Sequence, residues 1–379
     1  MYQYLLFNYH YTESILSKII SIGTAVPAYQ HKQTDILKFM QNVFAMGTAD
    51  KRKLGYLYHQ SGIDTRYSVI PDYSCSIDQW EFYPQTENLD PFPSLEKRMK
   101  CFNEKAAPLS VQAINECLNG KISKEGITHL ITVSCTGMSA PGLDLQIMES
   151  MNLDPNIYRT SVNFMGCYAA IHAIKIADTI CKTDVNAKVV VACTELCTLH
   201  FQRESSINSI TSSLLFSDGS AAVLITHNSF KKEGLHLDGF YSEVITKGKK
   251  DMSWELSSTG FLMTLSGYVP ELIEEDFDSL VNKATAYAGI NKKQVNHWCV
   301  HPGGKRILDA IQHSLGLENN ELSSCYEILK DYGNMSSPTI LFVLKKIMNQ
   351  LKSGNKENIF GAAFGPGLTM ETFVASSHA

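Results

Sequence analysis

The chain has 379 residues, of which 44% are hydrophobic and 19% charged, with a formal net charge of −5. That length holds two or three ordinary domains or one large duplicated unit, and the balance is that of a globular enzyme. No basic stripe or acidic tail speaks for nucleic acid or a strongly charged partner, and no apolar run near 18 residues speaks for a membrane span.

From the N-terminus, Met1–His10 is apolar but lacks a basic n-region, so no secretory leader is expected and residues 1–16 read as an extension to the fold. Ten cysteines stand at scattered spacings without a Cys-x-x-Cys pair, and Cys193-x-x-x-Cys197 has no matching pair downstream. Free thiols in a reducing cytoplasm, with no metal, are the expectation. The core begins at Ser17–Pro27, a strand running into a Gly/Pro turn, followed by a helix over 32–44. The aromatic, Pro- and acid-rich stretch from Ile70 to Pro93 reads as an irregular surface excursion. Short apolar strands are then predicted over 128–134, 187–193, 221–226, 297–300 and 357–361. Helical periodicity lies near 109–120, 142–152, 167–181, 271–289, 304–315 and 338–352. Strands alternating with helices in two rounds predict a duplicated, layered α/β architecture with sheets covered on both faces.

Three residues stand out chemically. Cys167 follows Asn163-Phe-Met-Gly and opens a helix rich in alanine (Ala169, Ala170, Ala173, Ala177). At a helix N-terminus, free N–H groups and the dipole favour thiolate over thiol, so the sulfur is suited to accept an acyl group. An inert core cysteine has the same local signature. His301, in Val300-His-Pro-Gly-Gly304, lies at a strand end on a sharply turned loop. Asn334 precedes a helix whose start is marked by Ser336, Ser337 and Pro338. Alone, each reads equally as a strand-end histidine or a turn asparagine. Together they suit decarboxylative Claisen condensation. His301 pairs with Cys167 as imidazolium and thiolate, and His301 and Asn334 donate to the enolate left when a malonyl thioester loses CO2. A hydrolase with a Cys/His/Asn set is the competing enzyme reading.

Five motifs in this order resemble the type III polyketide synthases, the chalcone synthase-like branch of the thiolase superfamily. They are Asn163–Cys167, Leu214–Val223, Val300–Gly304, Tyr332–Ser337 and Gly361–Thr372. The resemblance covers about residues 17–375. It implies a five-layered αβαβα thiolase fold of two duplicated halves: 17–235 with the nucleophilic cysteine, and 236–379 with the histidine and asparagine. It also implies a homodimer that extends an acyl-CoA starter with malonyl-CoA, with Cys167, His301 and Asn334 catalytic and no further cofactor. An acyl carrier protein is a second expected source of acyl groups.

By the same resemblance Phe216 is a gatekeeper beside the nucleophile, and Met263 replaces a second phenylalanine. Cys135, His200 and Trp254 stand where plant enzymes carry smaller or different residues, and Ser336 joins them as a pocket residue. These departures resemble microbial members that make alkylpyrones or alkylresorcinols, which points to a fatty acyl starter. Glu195 is expected to buttress the scaffold. Lys53, in Asp50-Lys-Arg-Lys53, aligns with a CoA-binding lysine, although Tyr56 replaces a neighbouring arginine. Lys305 and Arg306 are a second candidate for the CoA phosphates. The alternatives are a single-condensation synthase of the ketoacyl-carrier-protein class and a non-catalytic acyl-CoA-binding subunit.

Overall fold

The computed structural model describes residues 16–44, 47–204, 206–352 and 354–377, so the expected extension lies outside the described residues except for Leu16. The first strands are β1 (Ser17–Ala25), β2 (Tyr29–Lys32), β3 (Thr65–Ser68), β4 (His129–Ser134) and β5 (Tyr158–Asn163). Next come β6 (Lys188–Leu196), β7 (Asp218–His227), β8 (Leu235–Val244), β9 (Met252–Ser257) and β10 (Gly260–Leu265). The last are β11 (Val295–Val300), β12 (Asn358–Gly365) and β13 (Thr369–Ser376).

Nine strands join in the order β11-β12-β13-β8-β1-β7-β6-β4-β5, while β2 with β3 and β9 with β10 make two small sheets. From β1 outward, the pairings β1-β7 and β7-β6 are antiparallel, and β6-β4 and β4-β5 parallel. From β8 outward, β8-β13 and β13-β12 are antiparallel and β12-β11 parallel. The second half repeats the first without its outermost strand, which is the expected duplication. Two residue pairs, Lys18 with His236 and Ile19 with Leu235, stitch the halves together.

The layers follow from burial. Every residue of β7 is buried, and a strand reads as a continuous apolar run, not an alternating one, when both faces are covered. Helix Leu95–Leu118 covers β1, β6 and β7, and helix Val269–Tyr287 covers β8 and β13. Between the half-sheets lie two helices. Ala169–Thr183 touches β6, β7 and β13, and Thr339–Met348 touches β1, β7 and β11. Small residues line the first and an unbroken buried run, Thr339 to Leu344, opens the second, as a central position demands. The stacking is αβαβα.

One local expectation is refined and one corrected. The segment 70–93 is irregular and mostly exposed, as expected, but it is anchored by Ile70, Tyr73, Phe82, Tyr83 and Leu89, which are core residues. Its turn is tied by Asp72, whose carboxylate accepts from the N–H groups of Glu81 (3.0 Å), Phe82 (3.0 Å) and Tyr83 (2.7 Å). The helix expected near 109–120 begins instead at Leu95, capped by Ser94, and runs through Pro108. Proline is an ordinary helix boundary, and here the packing of the long helix overrides it.

Candidate active site

Past the end of β5, Phe164 (φ 60°) and Gly166 (φ 81°) turn the chain sharply before Cys167, and the central helix starts two residues later, at Ala169. A side chain at Gly166 is forbidden twice over: its φ is left-handed, and a Cβ would stand 2.4 Å from Pro366 Cδ. Gly166 N–H donates to Cys135 Sγ at 2.9 Å, and Cys167 Sγ lies 3.5 Å from Ser336 Oγ.

The histidine and asparagine reach the same place from the second half. His301 continues β11, its N–H bonded to Ala362 O at 2.8 Å, and neither of its buried ring nitrogens has a hydrogen-bond partner. Asn334 precedes the second central helix. Its Nδ2 donates to Gly303 O at 3.0 Å, and its Oδ1 accepts from Ser336 N–H at 2.8 Å. The path Cys167–Ser336–Asn334–Gly303–His301 therefore gathers all three residues at the point where both central helices begin. One Nδ2 hydrogen of Asn334 is spent on Gly303, and the other is directed at the Cys167 sulfur.

Burial sets the electrostatics. It pushes the Cys167 thiol up to about 12, against hydrogen bonds from Ser336 and Asn334 that pull it down. It pushes the His301 imidazole down to about 3. Burial by itself thus favours the neutral form of each group, and the expected thiolate–imidazolium pair depends on their interaction with each other. The ion pair has to be generated by proton transfer from sulfur to imidazole, favoured by the positive ends of two helices.

Glu195, at the end of β6, is fully buried. It accepts from Cys135 N–H (2.9 Å), Thr136 Oγ1 (2.8 Å) and Ser337 Oγ (2.8 Å), so one carboxylate ties the Cys135 loop to the Asn334 segment. Burial raises its carboxyl to about 7 despite those donors. A folded-state value above the unfolded one means the native state binds the extra proton. This contribution is full below about pH 4.5 and is lost as pH rises through 7. Glu195→Gln should therefore gain melting temperature relative to wild type between pH 4.5 and 8. A difference that stays constant across that window would sink this account.

A cavity of about 240 Å³ opens onto Cys167, and its wall contains Cys135, His200, Phe216, Trp254, Met263 and Ser336, the whole expected pocket set. His301 and Asn334, 1% and 2% exposed, stand behind that wall. His200 is structural within it. Its Nε2–H donates to Thr136 O (2.7 Å), its Nδ1 accepts from Phe261 N–H (3.2 Å), and burial lowers its pKa to about 3. It stacks on Phe261 with ring centroids 4.2 Å apart, and Trp254 meets both rings edge-on. Trp254 Nε1 donates to Cys135 O at 2.7 Å, which fixes this aromatic wall to the nucleophile's surroundings.

The sequence reading missed the opposite side. Ile36, Met40 and Phe201 also line the cavity. Ile36 and Met40 sit four apart on the amphipathic helix Gln33–Val43, a pattern indistinguishable from ordinary core packing. Lys53 is not brought to the cavity. It stands exposed on the helix Thr48–Gln60, 3.8 Å from Asp50. Lys305 and Arg306 pair with Asp309 (2.6 Å) and Glu271 (2.7 Å). Among the described residues no helix is long and apolar enough to cross a membrane, and no cluster of three His, Cys, Asp or Glu side chains is arranged to hold a metal.

Comparison with known proteins agrees with this geometry. Residues 10–229 match the model for the N-terminal domain of chalcone and stilbene synthases, and residues 237–379 match the model for the C-terminal domain. Type III polyketide synthase C of Arabidopsis thaliana is 26% identical over 368 residues, 94% of each chain. The alpha-pyrone synthesis polyketide synthase-like Pks18 of Mycobacterium tuberculosis is 27% identical over 359 residues, 93% of this chain and 89% of that one. Among solved structures, PKS-I of the brown alga Ectocarpus siliculosus superposes with a TM-score of 0.89 at 25% identity, over 96% of this chain and 99% of that one. The C-terminal type III polyketide synthase domain of Steely1 from Dictyostelium gives 0.88 at 25% identity, covering 96% and 100%.

Proposed function

Since the chain belongs to the chalcone and stilbene synthase family and is a type III polyketide synthase, an acyltransferase class that takes CoA thioesters, we propose that it extends a fatty acyl-CoA with malonyl-CoA and closes the chain to a pyrone or resorcinol. Cys167 is the nucleophile. Its sulfur attacks the starter thioester while His301 takes the thiol proton and returns it to the departing CoA. Malonyl-CoA then loses CO2, and the enolate oxygen is held by the His301 N–H and by the second Asn334 N–H, which turns to it from the acylated sulfur. The enolate carbon attacks the acyl group on Cys167 and expels the sulfur, which recaptures the lengthened chain from CoA for the next round.

The observation that carries this reading is a nucleophile-like thiol opening onto a cavity that reaches Ile36, Met40 and Phe201, apolar side chains fit for an alkyl chain. The similarity to a protein named for alpha-pyrone synthesis supports the product class. Lys53 is proposed to meet the CoA phosphates. The molecule is proposed to work as a homodimer joined along β5, the outermost strand of the sheet, where Tyr158 is 72% exposed.

One experiment tests the nucleophile, the starter, the product class and the dimer. The protein is mixed with malonyl-CoA and starters from acetyl-CoA to long acyl-CoAs, and native and denaturing mass spectra are recorded with product analysis. Expected are a dimer, an acyl adduct on Cys167, and pyrones or resorcinols from long starters. If free CoA thioesters give neither adduct nor product while carrier-protein-bound acyl groups do, the starter assignment fails. If neither donor works, the catalytic reading fails.

A further inference from the structure

The gate and the asparagine meet in one short bridge. Phe216 pairs with Asn334 as an isolated parallel β-bridge, with Asn334 N–H donating to Leu215 O and Ser217 N–H to Asn334 O, both at 2.9 Å. The carbonyls on either side of Leu215 are held by two buried side chains from distant sequence. Gln33 Nε2 donates to Leu214 O at 2.8 Å, and Arg66 Nη1 to Phe216 O at 2.7 Å. Arg66 Nε donates to Gln33 Oε1 at 2.9 Å, which locks the two together.

The asparagine side of the bridge rests on the same strand, β3. Gly333 lies on the arginine's methylene stem; its φ is +69°, and a Cβ there would stand 2.8 Å from Arg66 Cγ. Thr65 Oγ1 donates to Asp331 O at 2.6 Å, and Tyr67 stacks on Tyr332 at 5.7 Å.

Gln33 and Arg66 are 5% and 4% exposed. A cation so buried ordinarily keeps a carboxylate partner. Arg66 instead bonds a side-chain amide and a main-chain carbonyl beside the Tyr58 hydroxyl, and Asp218 acts on it only through space, its oxygens being spent on Val69 N–H and Thr198. Apolar packing would fill the same space without burying a charge. What arginine supplies here is the fixed planar geometry of its donors.

We propose that Gln33 and Arg66 are a positioning pair, holding the Leu214–Phe216 turn, and through it the Asn334 amide, in the register that extender decarboxylation requires. This rests on the assignment of Asn334 to the enolate made above. The Cys167 loop has its own tie, the Gly166 N–H bond to Cys135 Sγ, and meets the Asn334 segment only through Cys167 Sγ. Starter loading should therefore depend on the pair far less than decarboxylation does.

Gln33→Ala and Arg66→Lys separate the two half-reactions. Malonyl-CoA decarboxylation is followed by CO2 release, and starter loading by the rate of acyl adduct formation on Cys167. Both variants are expected to lose about 10- to 100-fold in decarboxylation kcat, as small misplacements of catalytic groups do. The KM for malonyl-CoA and the loading rate are expected to stay within about threefold of wild type. Lysine keeps the charge but not the fork, so a purely electrostatic role would survive Arg66→Lys. If Arg66→Lys fails to fold, Gln33→Ala decides alone. Unchanged decarboxylation, or a parallel fall in both half-reactions, overturns the proposal. A wild-type protein that neither loads starter nor decarboxylates malonyl-CoA refutes the catalytic assignment itself.

Discussion

His301→Gln should slow both acyl loading and iodoacetamide alkylation of Cys167 at pH 7 by about 10²- to 10⁴-fold, the range a general base supplies. Burial, outweighing the hydrogen bonds from Ser336 and Asn334, holds the thiol at about 12, so without a neighbouring base the thiolate is a minute fraction at neutral pH. The sign of the pH dependence follows. In the variant the alkylation rate should climb about tenfold for each pH unit between 6 and 9, because the thiolate fraction does so well below its pKa. In wild type the slope should be shallower, since proton transfer to His301 supplies thiolate independently of solvent hydroxide. The two profiles converge toward high pH. Parallel profiles with the same slope would show that His301 is not the base for Cys167.

Asn334→Ala should reduce malonyl-CoA decarboxylation by about 10²- to 10³-fold, the effect of removing one donor from a preorganised oxyanion site. The Asn334 amide is preorganised in this sense: Gly303 O takes one of its hydrogens, Ser336 N–H holds its oxygen, and Leu215 O holds its main chain. Starter loading onto Cys167 should fall far less, because acyl transfer to sulfur passes through no extender enolate. The measurement is CO2 release beside adduct formation on the same preparation. A proportional loss in both would assign Asn334 to folding of the Ser336–Met348 region and not to the enolate. The loss should also exceed that of Gln33→Ala, which displaces the amide without deleting it.

That Cys167, His301 and Asn334 stand at turns beside strand ends and helix starts was legible in sequence, because each carries a local backbone signature. A β-branched run, Met-Gly and an alanine-rich helix mark Cys167; Pro-Gly-Gly marks His301; and Ser-Ser-Pro marks the helix after Asn334. The layered α/β class was legible because strands covered on both faces become continuous apolar runs, as β6 and β7 are. The buried anchors of segment 70–93 were not readable, since its order comes from one carboxylate, Asp72, bonded to N–H groups nine to eleven residues away. Composition does not register such a tie. Strand β8 escaped because its partners, β1 and β13, both lie far from it in the chain.

By itself, then, the sequence determined the reaction class and the residues able to perform it, since residue type and local turn geometry are written in adjacent letters. The tertiary structure decided the rest. It set the charge states of Cys167, His301 and Glu195, which burial governs. It placed Ile36 and Met40 in the cavity wall and Lys53 away from it, and it joined Gln33 to Arg66 over the gate. Desolvation and long-range hydrogen bonds depend on which distant segments meet, and that is fixed only when the two halves pack.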